Sequence, residues 1–357
     1  MGISLAAATV AQSATLDATA ATIDAVWNAA KPGDTIRLSG SFGLTWLQNK
    51  SSTRGLTLDA TNAVFTDTLT IKHVDGLKIL GGTYGATDGG PTAAGRAVVI
   101  NGGSNIGFYS PVVVGNAGGQ GISFSDTVGA TVKTGSFTGL YSGVSMTRVT
   151  GGYLSGNTVT GALSDGFDIA DSHTVTATRN SCSAGAPVAG AHPDCIQMWS
   201  IAGHAVQSDI TISNNTATGP TQGFTSFDPD KGGELRLTMV SNRVSTTYPQ
   251  GIACYACVDS NISYNRVTTL AGAAHMTNIN IIGGSDNVVV GNTIGALPKS
   301  THGAIVAMAS YAAFDASGSR GEAAVGAVPE PASWLMMIAG FGIVGAAARR
   351  SRSLAKT

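Results

Sequence analysis

Asp165-Gly166-Phe167-Asp168-Ile169 is answered 29 residues later by Asp194-Cys195-Ile196-Gln197-Met198. Each stretch is a polar residue, a small residue, then apolar-x-apolar. The same pattern comes earlier as Gln120-Gly121-Ile122-Ser123-Phe124 and Ser142-Gly143-Val144-Ser145-Met146. It returns later as Gln222-Gly223-Phe224-Thr225-Ser226 and Gln250-Gly251-Ile252-Ala253-Cys254. Successive starts lie 22, 23, 29, 28 and 28 residues apart, with weaker copies at residues 96–100, 277–281 and 302–306. Alternation of period two is that of a strand with one buried face. A repeat in the twenties means that each unit buries that face by stacking on its neighbours.

A second pattern interleaves with the first, an alternating strand closed by asparagine. It reads Leu154-Ser155-Gly156-Asn157, Ile210-Thr211-Ile212-Ser213-Asn214-Asn215, Val240-Ser241-Asn242 and Ile262-Ser263-Tyr264-Asn265, with further copies ending at Asn180 and Asn292. Asparagine tolerates left-handed backbone and bonds to nearby backbone, which suits it to one corner of successive coils. The Leu-x-x-Leu-x-Leu framework of leucine-rich repeats is absent. The expected fold is therefore all-β, a single-stranded right-handed parallel β-helix of roughly nine or ten coils over residues 15–313. Residues 22–30 read as a short helix capping its N-terminal end. Lys31-Pro32-Gly33-Asp34-Thr35-Ile36-Arg37-Leu38 then reads as a turn into a first strand. This run resembles the beginning of pectin-lyase-like β-helix proteins, a likeness of fold covering most of residues 22–310. Fold by itself assigns no activity.

Composition agrees. The 357 residues include 48 glycines, are 43% hydrophobic and only 11% charged, which fits a folded, turn-rich chain rather than a disordered one. A net charge of −1 gives no general attraction to nucleic acid. Nothing in the pattern calls for an oligomer, and a monomer is expected. In an oxidising compartment Cys182 and Cys195 can close the insertion between them, and Cys254 and Cys257 a short second bridge. A zinc site is the competing reading of Cys-x-x-Cys, although Cys182 and Cys195 do not make a second such pair.

Both ends speak of export. Residues 1–14 read as a remnant signal peptide, an apolar run ending in small residues suited to cleavage near Ala11 to Ala14. No Lys or Arg precedes the run, so either the start lies upstream or the segment leads into the β-helix. At the other end, Val328-Pro329-Glu330-Pro331-Ala332-Ser333-Trp334 opens an uncharged stretch to Ala348, closed by Arg349, Arg350 and Arg352. Residues 332–348 reach the lower limit for a transmembrane helix. The arginines would stay cytoplasmic, leaving everything before Pro329 outside the inner membrane. Pro-Glu-Pro, apolar span and basic end, in this order, resemble the PEP-CTERM sorting signal of Gram-negative bacteria. That resemblance implies processing of the tail by an exosortase, a transient inner-membrane anchor, and a working place in the periplasm, outer surface or extracellular matrix. An ordinary tail anchor is the plainer alternative. Residues 314–327 then read as a linker to the sorting segment, residues 328–357.

Aligning the repeats places the chemistry. With Phe167, Ile169, Ile196 and Met198 inward, Asp168 and Gln197 face outward on adjacent coils, and Asp165 stacks on Asp194 at a spacing of ~4.8 Å. Gln222 and Gln250 continue that column. The insertion before Asp194 brings His192 near in sequence, and Asp228-Pro229-Asp230-Lys231 follows the next strand. Trp199, Phe227 and Tyr255 share one repeated position. Four ionisable groups, Asp165, Asp168, Asp194 and His192, coincide in a chain poor in them, which suggests a site. The bland readings are corner residues for Asp171 and Asp209, a turn for residues 228–231, a solvent-facing turn for His173, and a packing row for the aromatics.

Ser164-Asp165-Gly166-Phe167-Asp168-Ile169 is similar to the Asn-Thr-Asp-Gly-Phe-Asp-Ile strand of polygalacturonase-like family 28 glycoside hydrolases. That likeness implies Asp165 and Asp194 as the acid and base of glycoside hydrolysis. Pro193, Gln222-Gly223-Phe224 and the absence of Arg-x-Lys depart from that family. His192-Pro193-Asp194 with Ile196-Gln197 and Met198-Trp199 also resembles a motif of β-helix polysaccharide lyases and mannuronan C5-epimerases. This implies proton abstraction beside a uronate carboxylate, with His192 or Lys231 as base. A Ca²⁺ ion on Asp165, Asp168 and Asp194 would neutralise the uronate. Gln197, Trp199, Gln222, Phe227, Gln250 and Tyr255 are the expected glycan contacts. The leading expectation is a lyase or epimerase acting on polysaccharide. A non-catalytic exopolysaccharide-binding or surface-structural protein is the first alternative and a family 28-like hydrolase the second.

Overall fold

The computed structural model describes residues 13–85, 95–115, 118–185, 187–188, 193–200, 203–226, 233–296 and 309–310. The chain divides into units 1–314 and 315–357. All described residues belong to the first. They build a right-handed parallel β-solenoid of about eleven turns. The repeat count fell short because the first turns use the long strands Thr35–Phe42, Thr45–Phe65 and Leu69–Leu80, which lack the polar-Gly and closing-Asn marks. Among the described residues the one antiparallel pairing joins Thr293–Ala296 to Ala309–Ser310.

Through the middle of the solenoid each coil contributes three strands. The first stack contains Ser142–Thr147, Phe167–Ala170, Asp194–Trp199, Gln222–Ser226, Gln250–Tyr255 and Asn278–Ile282. Its register runs Val144, Phe167, Ile196, Phe224, Ile252, Ile279. The second stack includes Tyr153–Ser155, Thr176–Thr178, Thr211–Ser213, Thr238–Val240 and Asn261–Ser263. The third includes Thr158–Ala162, Ser181–Ala184, Thr216–Gly219, Arg243–Thr246 and Arg266–Thr269. Phe167, Ile169, Ile196 and Met198 are fully buried, whereas Asp168 and Gln197 between them are half-buried. The alternation thus buries the apolar residues and turns Asp168 and Gln197 outward, as the sequence pattern predicts.

The glycine of the first motif has a steric cause. A Cβ on Gly223 would lie 1.8 Å from the carbonyl oxygen of Gly251 in the next coil. One coil replaces this glycine by Cys195, whose side chain turns to a disulfide with Cys182 across a Cα–Cα distance of 5.4 Å. Cys254 and Cys257 form the second bridge, so neither pair is a zinc site.

The asparagine corner is a buried ladder. Each of Asn157, Asn180, Asn215, Asn242 and Asn265 donates its backbone N–H and its Nδ2 to the Oδ1 of the next asparagine, ending on Asn292. The expected left-handed backbone does not fall on these residues. It falls one residue earlier, at Gly156, Arg179, Asn214, Ser241, Tyr264 and Gly291. The bend is made by the preceding residue, and the ladder asparagine fills the corner that the bend encloses.

The N-terminal end is closed by helix Ile23–Ala29, which buries Ile23 and Trp27 one turn apart. Trp27 Nε1 donates to the Gln48 carbonyl at 3.2 Å, fixing the helix across the first turns. The leader up to residue 12 and the linker, apolar span and basic end beyond residue 310 lie outside the described residues. No helix among the described residues is long and apolar enough to cross a membrane.

Candidate active site

The turn from the third stack into the first carries Asp165, and the strands that follow carry Asp168 and Asp194. Their carboxyls come together as the register predicts. Asp165 is 8% exposed and Asp194 0%, while Asp168 stands on the outward face, half-buried. The Asp194 backbone N–H donates to Asp165 Oδ1 at 2.8 Å, and Ser164 Oγ donates to Oδ2 at 2.9 Å. Thr225 Oγ1 donates to Asp194 Oδ1 at 2.7 Å. Burial, followed by the charges of Asp165 and Asp194, pushes the Asp168 carboxyl well above the usual carboxylate range. Its hydrogen bond with Asp165 acts in the same direction, and one from Ser142 opposes it. Burial and then Asp194 likewise raise the Tyr248 phenol.

Ser142, Ser164, Thr225 and Tyr248 were not legible as site residues. Thr225 is in register with Gln197, which is in register with Asp168, so the repeat alignment already held that signal. Trp199 is 37% exposed beside this row. Gln222 is in register with Asp194 but is 2% exposed, so it is buried rather than displayed, and its Oε1 has no hydrogen-bond partner. Gln250 Nε2 donates to the Tyr255 hydroxyl at 2.8 Å, which ties two expected glycan contacts to each other. His192, Phe227 and Lys231 lie outside the described residues.

Among the described residues no three His, Cys, Asp or Glu side chains are grouped as metal ligands. Ser164, Thr225 and the Asp194 N–H each donate to one carboxylate oxygen of the cluster. Asp171 and Asp209 are corner residues, with φ of 48° and 60°. Asp171 Oδ2 meets His204 Nδ1 at 2.6 Å, and Asp209 receives both arms of Arg236 at 2.6 and 2.7 Å.

Fold and site together define a right-handed parallel β-helix with an acid cluster on one strand stack. Residues 327–352 match the PEP-CTERM protein-sorting motif. The motif marks an exported protein of the Gram-negative cell envelope and implies exosortase processing. Two disulfides are consistent with that oxidising destination. An alginate lyase from Paenibacillus sp. str. FPU-7 superposes with a TM-score of 0.54 at 15% identity, over 76% of this chain and 98% of that one. PfbA, a surface adhesin of Streptococcus pneumoniae, gives 0.50 at 8% identity, over 79% and 88%. A polygalacturonase from Erwinia carotovora ssp. carotovora gives 0.42 at 17%, over 81% and 83%. No curated protein matches the chain. At these identities the likeness is one of fold.

Proposed function

We propose that the chain is a cell-envelope enzyme acting on a uronate-containing polysaccharide, as a lyase or epimerase, with Asp168 as proton donor. The observation that carries this reading is the Asp168 carboxyl, which keeps its proton above the range of an exposed aspartate and stands on the outward face of a strand stack. General acids are placed in this way. In elimination, a base removes the proton beside the uronate carboxylate and its electron pair becomes the C4–C5 double bond. The C4–O bond breaks, and the departing oxygen takes the Asp168 proton. In epimerisation no C–O bond breaks and the proton returns from the opposite face. His192, two residues before Asp194 in sequence, and Lys231 are the candidate bases.

The alternative of a non-catalytic binder is favoured by a separate observation. Asp194 is fully buried, and both it and Asp165 accept internal hydrogen bonds. The fold is shared by a lyase and by an adhesin, so it does not choose between them. The test is incubation of the purified protein with acidic and neutral polysaccharides, with and without Ca²⁺. Unsaturated, ultraviolet-absorbing ends or C5 inversion are expected, and both vanish in Asp168→Asn. New reducing ends without unsaturation would replace this reading with hydrolysis. Retention without turnover would replace it with binding.

A further inference from the structure

We propose that the corner between the second and third stacks carries a separate, non-catalytic binding site for acidic glycan, centred on Arg243, Arg266 and Tyr264. The residues line an open cleft of about 380 Å³, with Asn214 and Ser241 on its rim. It lies at a different corner from the Asp165–Asp168–Asp194 cluster, which sits where the third stack turns into the first.

The stacked like charges of this corner are locally unfavourable, and an acidic ligand relieves them. Arg243 and Arg266 are register partners on adjacent coils, so two exposed guanidinium groups stack with like charge. At the corner between the first and second stacks, Arg148 is neutralised by Asp126 and Arg236 by Asp209. Neither Arg243 nor Arg266 has an acidic partner among the described residues. In sequence, residues 235–258 and 260–285 contain no Asp or Glu. Tyr264 is 64% exposed and adopts a φ of 55°, a left-handed conformation unfavourable for a bulky residue. Its ring rests over Gly291, where a Cβ would lie 2.5 Å from the ring, so a glycine keeps the aromatic face in place.

A pair of planar guanidinium forks suits carboxylates on successive sugar units. The exposed ring offers an apolar platform with a polar tip, and Asn214 and Ser241 supply hydrogen-bonding groups for hydroxyls. The ligand class is thus a glycan carrying carboxylates. Such a site would hold the chain on its polymer whatever the acid cluster does.

The test is titration of the purified full-length protein with oligogalacturonate and, separately, with neutral cello-oligosaccharide and inorganic phosphate. Oligogalacturonate is expected to bind with an affinity that falls as salt rises. The double variant R243Q/R266Q should weaken it by about tenfold or more, and Tyr264→Ala should weaken it independently. Thermal unfolding should stay near that of the unmodified chain, and Arg148→Gln should bind normally. R243Q/R266Q should leave turnover at saturating polysaccharide unchanged, so this site and the proposed activity fail or succeed separately. Full affinity in R243Q/R266Q, or no binding by the unmodified chain, overturns the proposal. Phosphate binding as tightly as the oligomer would reduce the cleft to a simple anion site, and overturns it too.

Discussion

Replacing Asn215 by alanine tests the ladder on which the whole register depends. The side chain is fully buried. Its Oδ1 accepts the Asn180 backbone N–H at 2.8 Å and Asn180 Nδ2 at 3.0 Å. Its Nδ2 donates to the Ala177 carbonyl at 2.8 Å and to Asn242 Oδ1 at 3.2 Å. Alanine leaves the Asn180 N–H without this partner, while the Ala177 carbonyl keeps its place in the strand ladder beside Thr211–Ser213. Asn180 Nδ2 keeps the Leu154 carbonyl and Asn242 Oδ1 keeps the Asn215 backbone N–H. One newly orphaned buried donor costs about 1–3 kcal/mol, which puts Asn215→Ala in that range. Asn214→Ala is the internal control. That residue is exposed at the left-handed bend, and its loss should cost no more than about 1 kcal/mol. Urea unfolding monitored by circular dichroism gives both values, and hydrogen exchange at the Asn180 amide reports the local opening. A cost below about 1 kcal/mol for Asn215→Ala, or equal costs for the two substitutions, would refute a stabilising ladder.

Three other outcomes are expected. The folded chain holds the Asp168 proton more tightly than the unfolded chain, so this group's contribution to stability is fully present below the ordinary aspartate range and is lost as pH rises through the raised value. Asp168→Asn should therefore flatten the decline in melting temperature between acidic and neutral pH, and an unchanged profile counts against the buried acid. Asp209 behaves oppositely. Arg236, then Ser208, pull its carboxyl down to about 2, so its contribution is present at neutral pH and disappears as pH falls through that value. Because the pair is solvent-exposed, Asp209→Asn should cost less than about 1 kcal/mol at neutral pH by chemical denaturation. Cys182→Ser with Cys195→Ser opens the loop before Asp194 and should lower stability by roughly 3 kcal/mol, measured against the oxidised chain with and without reductant.

How much of this was legible depended on whether the information was periodic. Strand alternation, the asparagine column, the juxtaposition of Asp165 with Asp194 and the outward face of Asp168 all follow from aligning repeats. Where periodicity fails, so did the reading. The opening turns lack the glycine and asparagine marks, and they were undercounted. The left-handed bend was placed one residue late, because preference for that conformation was weighed at Asn215 rather than at Asn214 before it. Gln222 was expected to meet ligand because its column was known, yet its burial depends on how the flanking turn folds over it. Arg243 and Arg266 were passed over because a lone arginine in a strand is unremarkable, and only register makes them a pair.

The asparagine ladder and the acid cluster put one stacking geometry to opposite uses. An amide carries both donor and acceptor, so a column of buried asparagines satisfies itself, each Nδ2 meeting the next Oδ1. Carboxylates carry acceptors alone, so stacked acids need donors from elsewhere. Asp165 takes them from Ser164 and a backbone N–H, and Asp194 takes one from Thr225. Asp168 stands beside both, and burial with these two charges raises its carboxyl well above the usual carboxylate range. The surplus of acceptors extends to the buried, unpartnered Oε1 of Gln222, one coil beyond Asp194 in register. The acceptor surplus thus falls in two adjoining coils, where the spacing between repeats rises to 29 residues, in contrast to the self-satisfied asparagine column. Under the proposed function, a carboxyl raised by its neighbours would give up its proton to the departing substrate oxygen. An Asp168 fixed only by packing would show no such coupling. Asp165→Asn should accordingly lower the pH at which Asp168 ionises, as read by carboxyl NMR titration, and an unmoved titration would show that burial alone sets it.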